Sequence, residues 1–571
     1  MQKADLKPLL GVEAYVCKED ASIKNERNKH NSHLCIIAKN DEGWRDMVEM
    51  VSKSNDKEFF YYKPRLDLNR ILEFASRGNL MAFSGHINSN IANSLYDDNK
   101  DLSVNWRKSA THMAEAFKDA FGENFFLEVQ LMDVEACPQQ KEIADCVRQI
   151  SKDTGIPCVA SQDAHYARKE DAIDQRILLC TNLNTTLQQA NRPEFGMGAF
   201  FRSQQYHIPS YDEMKQWHTD EELENTLLFA SQVEKYSKIL RSPILPKFPC
   251  PNGMSPDEYL RQKCREGWKQ KIQNRVSKDR HKEYGERVEH ELQVLQGAGL
   301  SSYFLIVADI LEYVRSNGWL PSPGRGSASG CMVSYLCGIT GIDPIPYGLI
   351  FSRFYNSGRN VDGHISMPDI DVDVPKYARE KVIDYIRQKY GKDHVGQMVT
   401  FQTMKGRGAI KNVLRAHGGM TFFEMNEVSK PIIEEHKITD ELQKMKEETG
   451  DSSIIRWCLE YTPEKLEQWC RIDDNGKFSG PLASRFEQAI RLEGTKTVQS
   501  KHAAGIVVTP EPLHKMCPII TDKESGDKLA AFEMNCLEAS GGLKLDILGI
   551  TNLDKSMGAA QDLLRGEIHE I

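Results

Sequence analysis

The sequence predicts a multidomain α/β protein, and three observations carry that reading. At 571 residues the chain is too long for one core, and about three or four domains are expected. Residues 1–180 alternate short apolar runs with helical patterns, as α/β construction requires. Residues 405–495 read as charged helices, and a β-like segment follows them.

Taken in order, PLLGVEAYV, HLCIIAKN, LMAFSG, NFFLEVQL and GIPCVASQDAHY read as strands, and KEIADCVRQISKD reads as a helix. A loop rich in Asn, Gln and Pro (NLNTTLQQANRPEFGMG) and a helical stretch lead to the Pro-rich SPILPKFPCPNG at 242–253, the clearest domain boundary. A basic helix, a glycine-rich turn at 323–330 and an acidic strand come next. HAAGIVVTP and GGLKLDILGI then form a β-like segment before a helical end.

Composition is ordinary, with 40% hydrophobic and 27% charged residues, no low-complexity tract and no period suggesting repeats. No run of about 18 apolar residues exists to span a bilayer, and MQKADLKPLL lacks signal-peptide character. The fourteen cysteines are scattered without a C-x-x-C, which reads as buried thiols in a cytoplasmic protein with no membrane partner. Net charge is −9, but residues 261–290 hold ten Lys/Arg against five Asp/Glu. That excess reads either as a solvated helix face or as a nucleic-acid contact.

The stretch SMPDIDVDV alternates Asp369, Asp371 and Asp373 with Ile370 and Val372. In a strand the acids share one face, roughly 7 Å apart. Three readings stand. One is a solvated face, although the flanking Ile and Val predict burial. Another is a calcium loop, with Glu380 at the twelfth position but Val374 and Pro375 where its turn needs glycine. The last is a divalent-metal site in which carboxylates hold two ions about 3.5–4 Å apart for phosphoryl or nucleotidyl transfer.

In Pro323-Gly-Arg-Gly-Ser-Ala-Ser-Gly330, Ser327 is an expected N-cap, and Arg325 adds charge to exposed N–H groups that would favour a phosphate. A plain turn, or a dinucleotide fingerprint with Asp343 about twenty residues on, are the alternatives. In KLDIL, Lys544 and Asp546 face one way while Leu545 and Ile547 pack inward; the pair reads either as structural or, if this strand lies beside the acidic one, as a further metal ligand at Asp546 and a phosphate contact at Lys544.

These pieces together resemble the alpha subunit of bacterial replicative DNA polymerase III, the C-family polymerases. The resemblance runs through YFLIVADILEYVRSNGWLPSPGRGSASGCMVSYLCGITGIDP, YGLIFSRFYN, SMPDIDVDV, VTFQTMKGRGAIKNV, KHAAGIVV and GLKLDILGI. It implies a PHP-like (β/α) barrel domain over 1–245, a nucleotidyltransferase-like palm with a mixed β-sheet over 246–400 and 496–553, a helical thumb over 401–495, and the start of the fingers at 554–571. Asp369, Asp371 and Asp546 are implied as ligands of two Mg²⁺ ions, with Asp373 as a supporting acid. Arg325, Gly326, Ser327, Arg353 and Lys544 are implied around the nucleotide triphosphate. Lys405, Arg407, Lys411 and Arg415, with the basic segment 261–290, become duplex-backbone contacts.

The implied activity is template-directed DNA synthesis, with primer–template DNA and dNTPs as partners. A PHP-type phosphoesterase and a non-catalytic DNA-binding replication subunit are the rival readings. In the PHP-like region Glu13, His33, His86, Asp163 and His165 match metal-ligand positions, with His86 where the family often has cysteine. The family's opening H-x-H is not found upstream of GVEAYV, which implies an incomplete, vestigial site for Zn²⁺ or Mn²⁺. The turn NSGRNVDGHI is longer than usual for the family. The expectation is a chain truncated at both ends, completed by a second polypeptide with the remaining fingers and the sliding-clamp-binding region.

Overall fold

A computed structural model describes residues 6–97, 99–192, 203–241, 244, 246–356, 367–473, 475–522 and 525–565. The enlarged turn lies outside the described residues from Ser357 onward, as does the PEFGMG part of the Asn/Gln-rich loop. Two compact units are formed, one from Met1–Asn40, Tyr61–Glu234 and Phe401–Ser500, the other from Asp41–Phe60, Lys235–Thr400 and Lys501–Ile571.

In the first unit β1 (Gly11–Cys17), β2 (Asn31–Ala38), β3 (Leu66–Asp67), β4 (Leu80–Phe83), β5 (Phe125–Gln130) and β6 (Cys158–Ser161) make a mixed sheet in the order β3-β1-β2-β4-β5-β6. Strands β4, β5 and β6 are parallel neighbours, and β5 is buried along nearly its whole length, as parallel strands covered on both faces are. The crossover helices Trp106–Phe121 and Gln139–Thr154 stop at Gly122 and Gly155, whose φ of 61° and 67° suits glycine.

The segment expected to be helical over 405–495 is largely so, interrupted by a small hairpin of β9 (Arg471–Ile472) and β10 (Phe478–Ser479). Its helices Gly406–His417, Ile454–Tyr461 and Ala483–Leu492 share a core with Ile177 and Cys180 around Ile410, Val413, Ile455 and Phe486. Glu493 accepts N–H bonds from Gly406 at 2.6 Å and Ile455 at 3.2 Å, so one carboxylate caps two helix starts.

The second unit is built on β7 (Asp371–Pro375), β8 (Val395–Thr403), β11 (Lys496–Val508), β12 (Ile519–Thr521), β13 (Lys528–Ala530) and β14 (Leu543–Ile550), in the order β12-β13-β8-β11-β14-β7. One sheet face carries Val372, Val374, Ile506, Val508, Leu543, Leu545 and Ile547 into a large core that includes the largely buried helix Ser301–Ser316. Met398 and Val507 cover part of the opposite face, with Leu513 and Leu537. Period 2 therefore leaves Asp371, Asp373, Lys544 and Asp546 on that second face.

Two local expectations are corrected. Hydrogen-bonded strand begins at Asp371, with Asp369 and Ile370 preceding it. Ser327 does not cap a helix: Gly326, at φ 68°, opens a 3₁₀ turn Gly326–Gly330, and the helix Met332–Leu336 is capped by Cys331, whose sulfur accepts the Ser334 N–H. Among the described residues no single helix is long and apolar enough to cross a membrane.

Candidate metal-binding active site

Strands β7 and β14 run parallel with Asp371 opposite Asp546. Ligand oxygens of Asp369, Asp371 and Asp546 all come within 4.8 Å of one another, although Asp546 is distant in sequence from the other two. Lys544 Nζ lies 2.6 Å from Asp546 Oδ2. Asp546 is buried, and its Oδ1 has no hydrogen-bond partner among the described residues.

Like charges at this spacing oppose one another. Burial, then the charge of Asp546, raises Asp369 above the ordinary carboxyl range, against Lys544 and Arg325. Burial raises Asp371 as well, with Arg325 opposing and the other acids adding. The phenol of buried Tyr303 is pushed up by burial first and then by Asp369, whose neighbour Ile370 bonds it through the backbone.

Asp373 does not join the three converging acids. It is buried and holds Arg325 Nε at 3.0 Å, while Asp371 holds Nη2 of the same side chain at 2.8 Å. Arg325 opens the glycine-rich turn, which is tied to β7 by the Ser322 N–H bond to the Asp373 carbonyl. A Cβ on Gly326 would stand 3.7 Å from Asp371 Oδ2, so the backbone of the turn runs close to the acids. Ser327 is exposed there. Arg353 is exposed on the short helix Phe351–Phe354, which packs against the turn. Glu380 is exposed and paired with Arg379, and Asp343 accepts the Tyr284 hydroxyl at 2.8 Å. Neither is among the converging donors of the described residues.

In the first unit Glu13, His33 and His86 converge: Glu13 Oε1 meets His33 Nδ1 and, at 3.0 Å, His86 Nε2, and the two ring nitrogens are 2.8 Å apart. The His33 and His86 hydrogen bonds hold Glu13 far below the usual carboxyl range. Burial opposes protonation of His86, but Glu13, with Asp163 and Glu128, raises it overall. Asp163 and His165 do not enter this trio and pair with each other at 3.2 Å. Buried Glu128 was not singled out in sequence. Its Oε2 has no hydrogen-bond partner among the described residues, and burial raises its carboxyl. The signal was an acid inside the apolar run FFLEVQL.

The expected DNA contacts are partly neutralised. Lys405 pairs with Glu435 at 2.7 Å, Arg407 with Glu434 at 3.0 Å, and Arg415 bonds Asn412. Lys411 lies half-buried on the same helix. In segment 261–290, Arg261, Lys263, Arg280, Lys282 and Arg287 are all ion-paired with glutamates.

Residues 258–549 match the family described as bacterial DNA polymerase III alpha NTPase domain, and residues 1–131 match the PHP domain. The chain belongs to the bacterial DNA polymerase III alpha family. DNA polymerase III subunit alpha of Aquifex aeolicus is 33% identical over 96% of this chain and 46% of its own length. The same-named proteins of Borreliella burgdorferi (32% identical, 97% of this chain, 44% of their length) and Thermus aquaticus (30%, 96%, 46%) are also similar. The chain thus spans a little under half the length of these curated relatives.

Within this polymerase III alpha family chain, the acids of the second unit form a set of hard oxygen donors. The unpartnered, buried Asp546 Oδ1 beside two further carboxylates fits a magnesium site. The donor trio of the PHP region, two imidazoles and a carboxylate, fits zinc or manganese.

Proposed function

We propose that this chain carries the nucleotidyl-transfer centre of a template-directed DNA polymerase, with the second unit's mixed sheet as palm and the helices of 401–495 as thumb. The observation that carries the reading is the convergence of Asp369 and Asp371, at the start of β7, with Asp546 of β14 beside a cationic glycine turn. Those three acids would hold two Mg²⁺ ions, which when bound supply Lewis acidity toward the attacking primer hydroxyl and neutralise charge on the departing pyrophosphate.

The remaining work falls to the chain's own groups. Arg325, with Nε held by Asp373 and Nη2 by Asp371 and its side chain half-exposed, offers Nη1 to a dNTP triphosphate. Exposed backbone at Gly326 and Ser327 gives that tail a close approach, and Arg353 adds charge from the helix packed on the turn. Lys544, bound to Asp546, reduces the repulsion among the acids. Lys411 and Arg415 form no ion pair among the described residues, and they are the thumb cations we assign to the duplex backbone.

Primer extension with Mg²⁺ and dNTPs tests the reading. Asp369→Ala/Asp371→Ala should lower extension by a factor of about a thousand or more. Extension undiminished in that double variant would remove the site assignment.

We also propose that Glu13, His33 and His86 take one zinc or manganese ion in the PHP domain, supported by the convergence of their donor atoms.

A further inference from the structure

Strand β11 flanks β14 on the side away from β7, and its pairing sets Gly505 opposite Asp546. Gly505, Asp546 and Asp371 therefore form one row across three strands, each step about 4.8 Å. Residues paired directly across an antiparallel ladder project to the same face, so the missing side chain of Gly505 would point to the face of the acids.

That space is taken by His502. A Cβ at 505 would stand 2.9 Å from His502 Nδ1 and 3.1 Å from Met398 Sδ. His502 Nδ1 accepts the N–H of Gly505 at 2.7 Å and of Ala504 at 3.2 Å, so the side chain closes a turn on its own strand and the ring is fixed over Gly505, the residue paired with Asp546. With Nδ1 accepting, the neutral ring carries its proton on Nε2. Among the described residues no hydrogen bond or ion pair is formed by Nε2, and the residue is half-exposed. A donor of fixed tautomer is thus held at the end of the row opposite Arg325.

We propose that His502 donates its Nε2–H to the primer-strand phosphate joining the two 3′-terminal nucleotides. This rests on the polymerase reading and follows from the direction of the row. Arg325, bound to Asp371 and Asp373, marks the triphosphate end. In-line transfer sets the attacking hydroxyl opposite the leaving pyrophosphate, so the primer strand enters from the His502 end.

The test is fluorescence anisotropy of a labelled primer–template in EDTA, which reads binding without turnover. His502→Ala should bind about tenfold more weakly than wild type, the scale of one hydrogen bond to a charged group. His502→Gln, which restores a donor near Nε2, should return to within about threefold of wild type. His502→Asn keeps an acceptor for the Gly505 N–H, and should match the wild-type thermal midpoint while binding as weakly as His502→Ala. A methylphosphonate at that primer linkage should weaken wild type about tenfold and leave His502→Ala unaffected. Binding of His502→Ala and His502→Asn within about twofold of wild type overturns the inference alone, as does an equal methylphosphonate penalty in wild type and His502→Ala. Wild type that binds no primer–template overturns the inference together with the polymerase reading.

Discussion

Asp373 Oδ2 lies 3.0 Å from Arg325 Nε, and the outer edge of the same guanidinium lies 2.8 Å from Asp371 Oδ1. The inner acid is buried at 3% exposure, so it anchors the cation rather than facing a ligand. Asp373→Asn removes the anchoring charge and leaves Asp369, Asp371 and Asp546 in place. Primer extension should then show KM for dNTP raised about tenfold, with kcat changed much less. Arg325→Lys should give the same KM effect, because an ammonium does not span two carboxylates as a planar fork does. An unchanged KM in Asp373→Asn would mean that the guanidinium is held by something else.

The trio in the PHP domain makes a separate forecast. After dialysis, elemental analysis should find about one zinc ion per chain, lost in Glu13→Ala and in His33→Ala. His86→Cys should retain the ion, since a thiolate is a competent zinc ligand. Asp163→Ala should leave the stoichiometry unchanged, because Asp163 is engaged with His165 and stands outside the converging donors. Metal loss in Asp163→Ala would show that the site is larger than three ligands.

Much of the second unit was legible because its strands follow period 2. Leu545 and Ile547 point into the core and Lys544 and Asp546 away from it, as alternation alone requires. Alternation also groups Asp371 with Asp373, but it cannot tell that burial differs along one strand, and so it missed that Asp373 serves Arg325. The meeting of Asp546 with Asp371 depends on strand register between distant segments, and only family resemblance reached it. Ser327 was misread because a helix cap and a 3₁₀ turn use the same residue types, and the φ of Gly326 decides between them. In the basic segment 261–290 composition alone overstates the free charge: five of its ten cations are matched by Glu289, Glu312, Glu283, Glu286 and Glu291, and two of these, Glu291 and Glu312, lie outside the counted segment.

A buried pair in the first unit predicts acid sensitivity. Arg148 grips Glu222 through two bonds of 2.6 and 3.0 Å, with His218 against the same carboxylate. Burial works to raise Glu222, but the hydrogen bonds from His218 and Arg148 and the Thr219 N–H outweigh it, and Glu222 falls to about 2 from 4.5. A carboxyl depressed on folding contributes stability that is present above its unfolded value and is lost as pH falls through the folded one. The contribution is about 3 kcal/mol at neutral pH, lost between about pH 4.5 and 2. Urea unfolding should show wild type losing more stability than Glu222→Gln over that window. At pH 7, Arg148→Met should cost about 3–5 kcal/mol by stranding the buried charge. Parallel pH profiles for wild type and Glu222→Gln would sink this account.

Two glycines inside helices should respond oppositely to the same change. Alanine is the better helix former by about 1 kcal/mol, and local propensity alone favours it at both sites. Gly285, in the helix His281–Gly297, has nothing within 4 Å of an added Cβ, so Gly285→Ala should stabilise by about 0.5–1 kcal/mol. Gly267, in the helix Pro256–Lys271, is different: a Cβ there would stand 2.1 Å from the Leu336 carbonyl oxygen, a backbone atom that cannot swing aside. Gly267→Ala must therefore push this helix off Met332–Leu336, which follows the glycine turn of the candidate site. It should destabilise by roughly 1–3 kcal/mol despite the helical gain. Thermal unfolding of the two variants side by side separates the effects, and a rise in midpoint for both would mean that the two helices are not in backbone contact at Gly267.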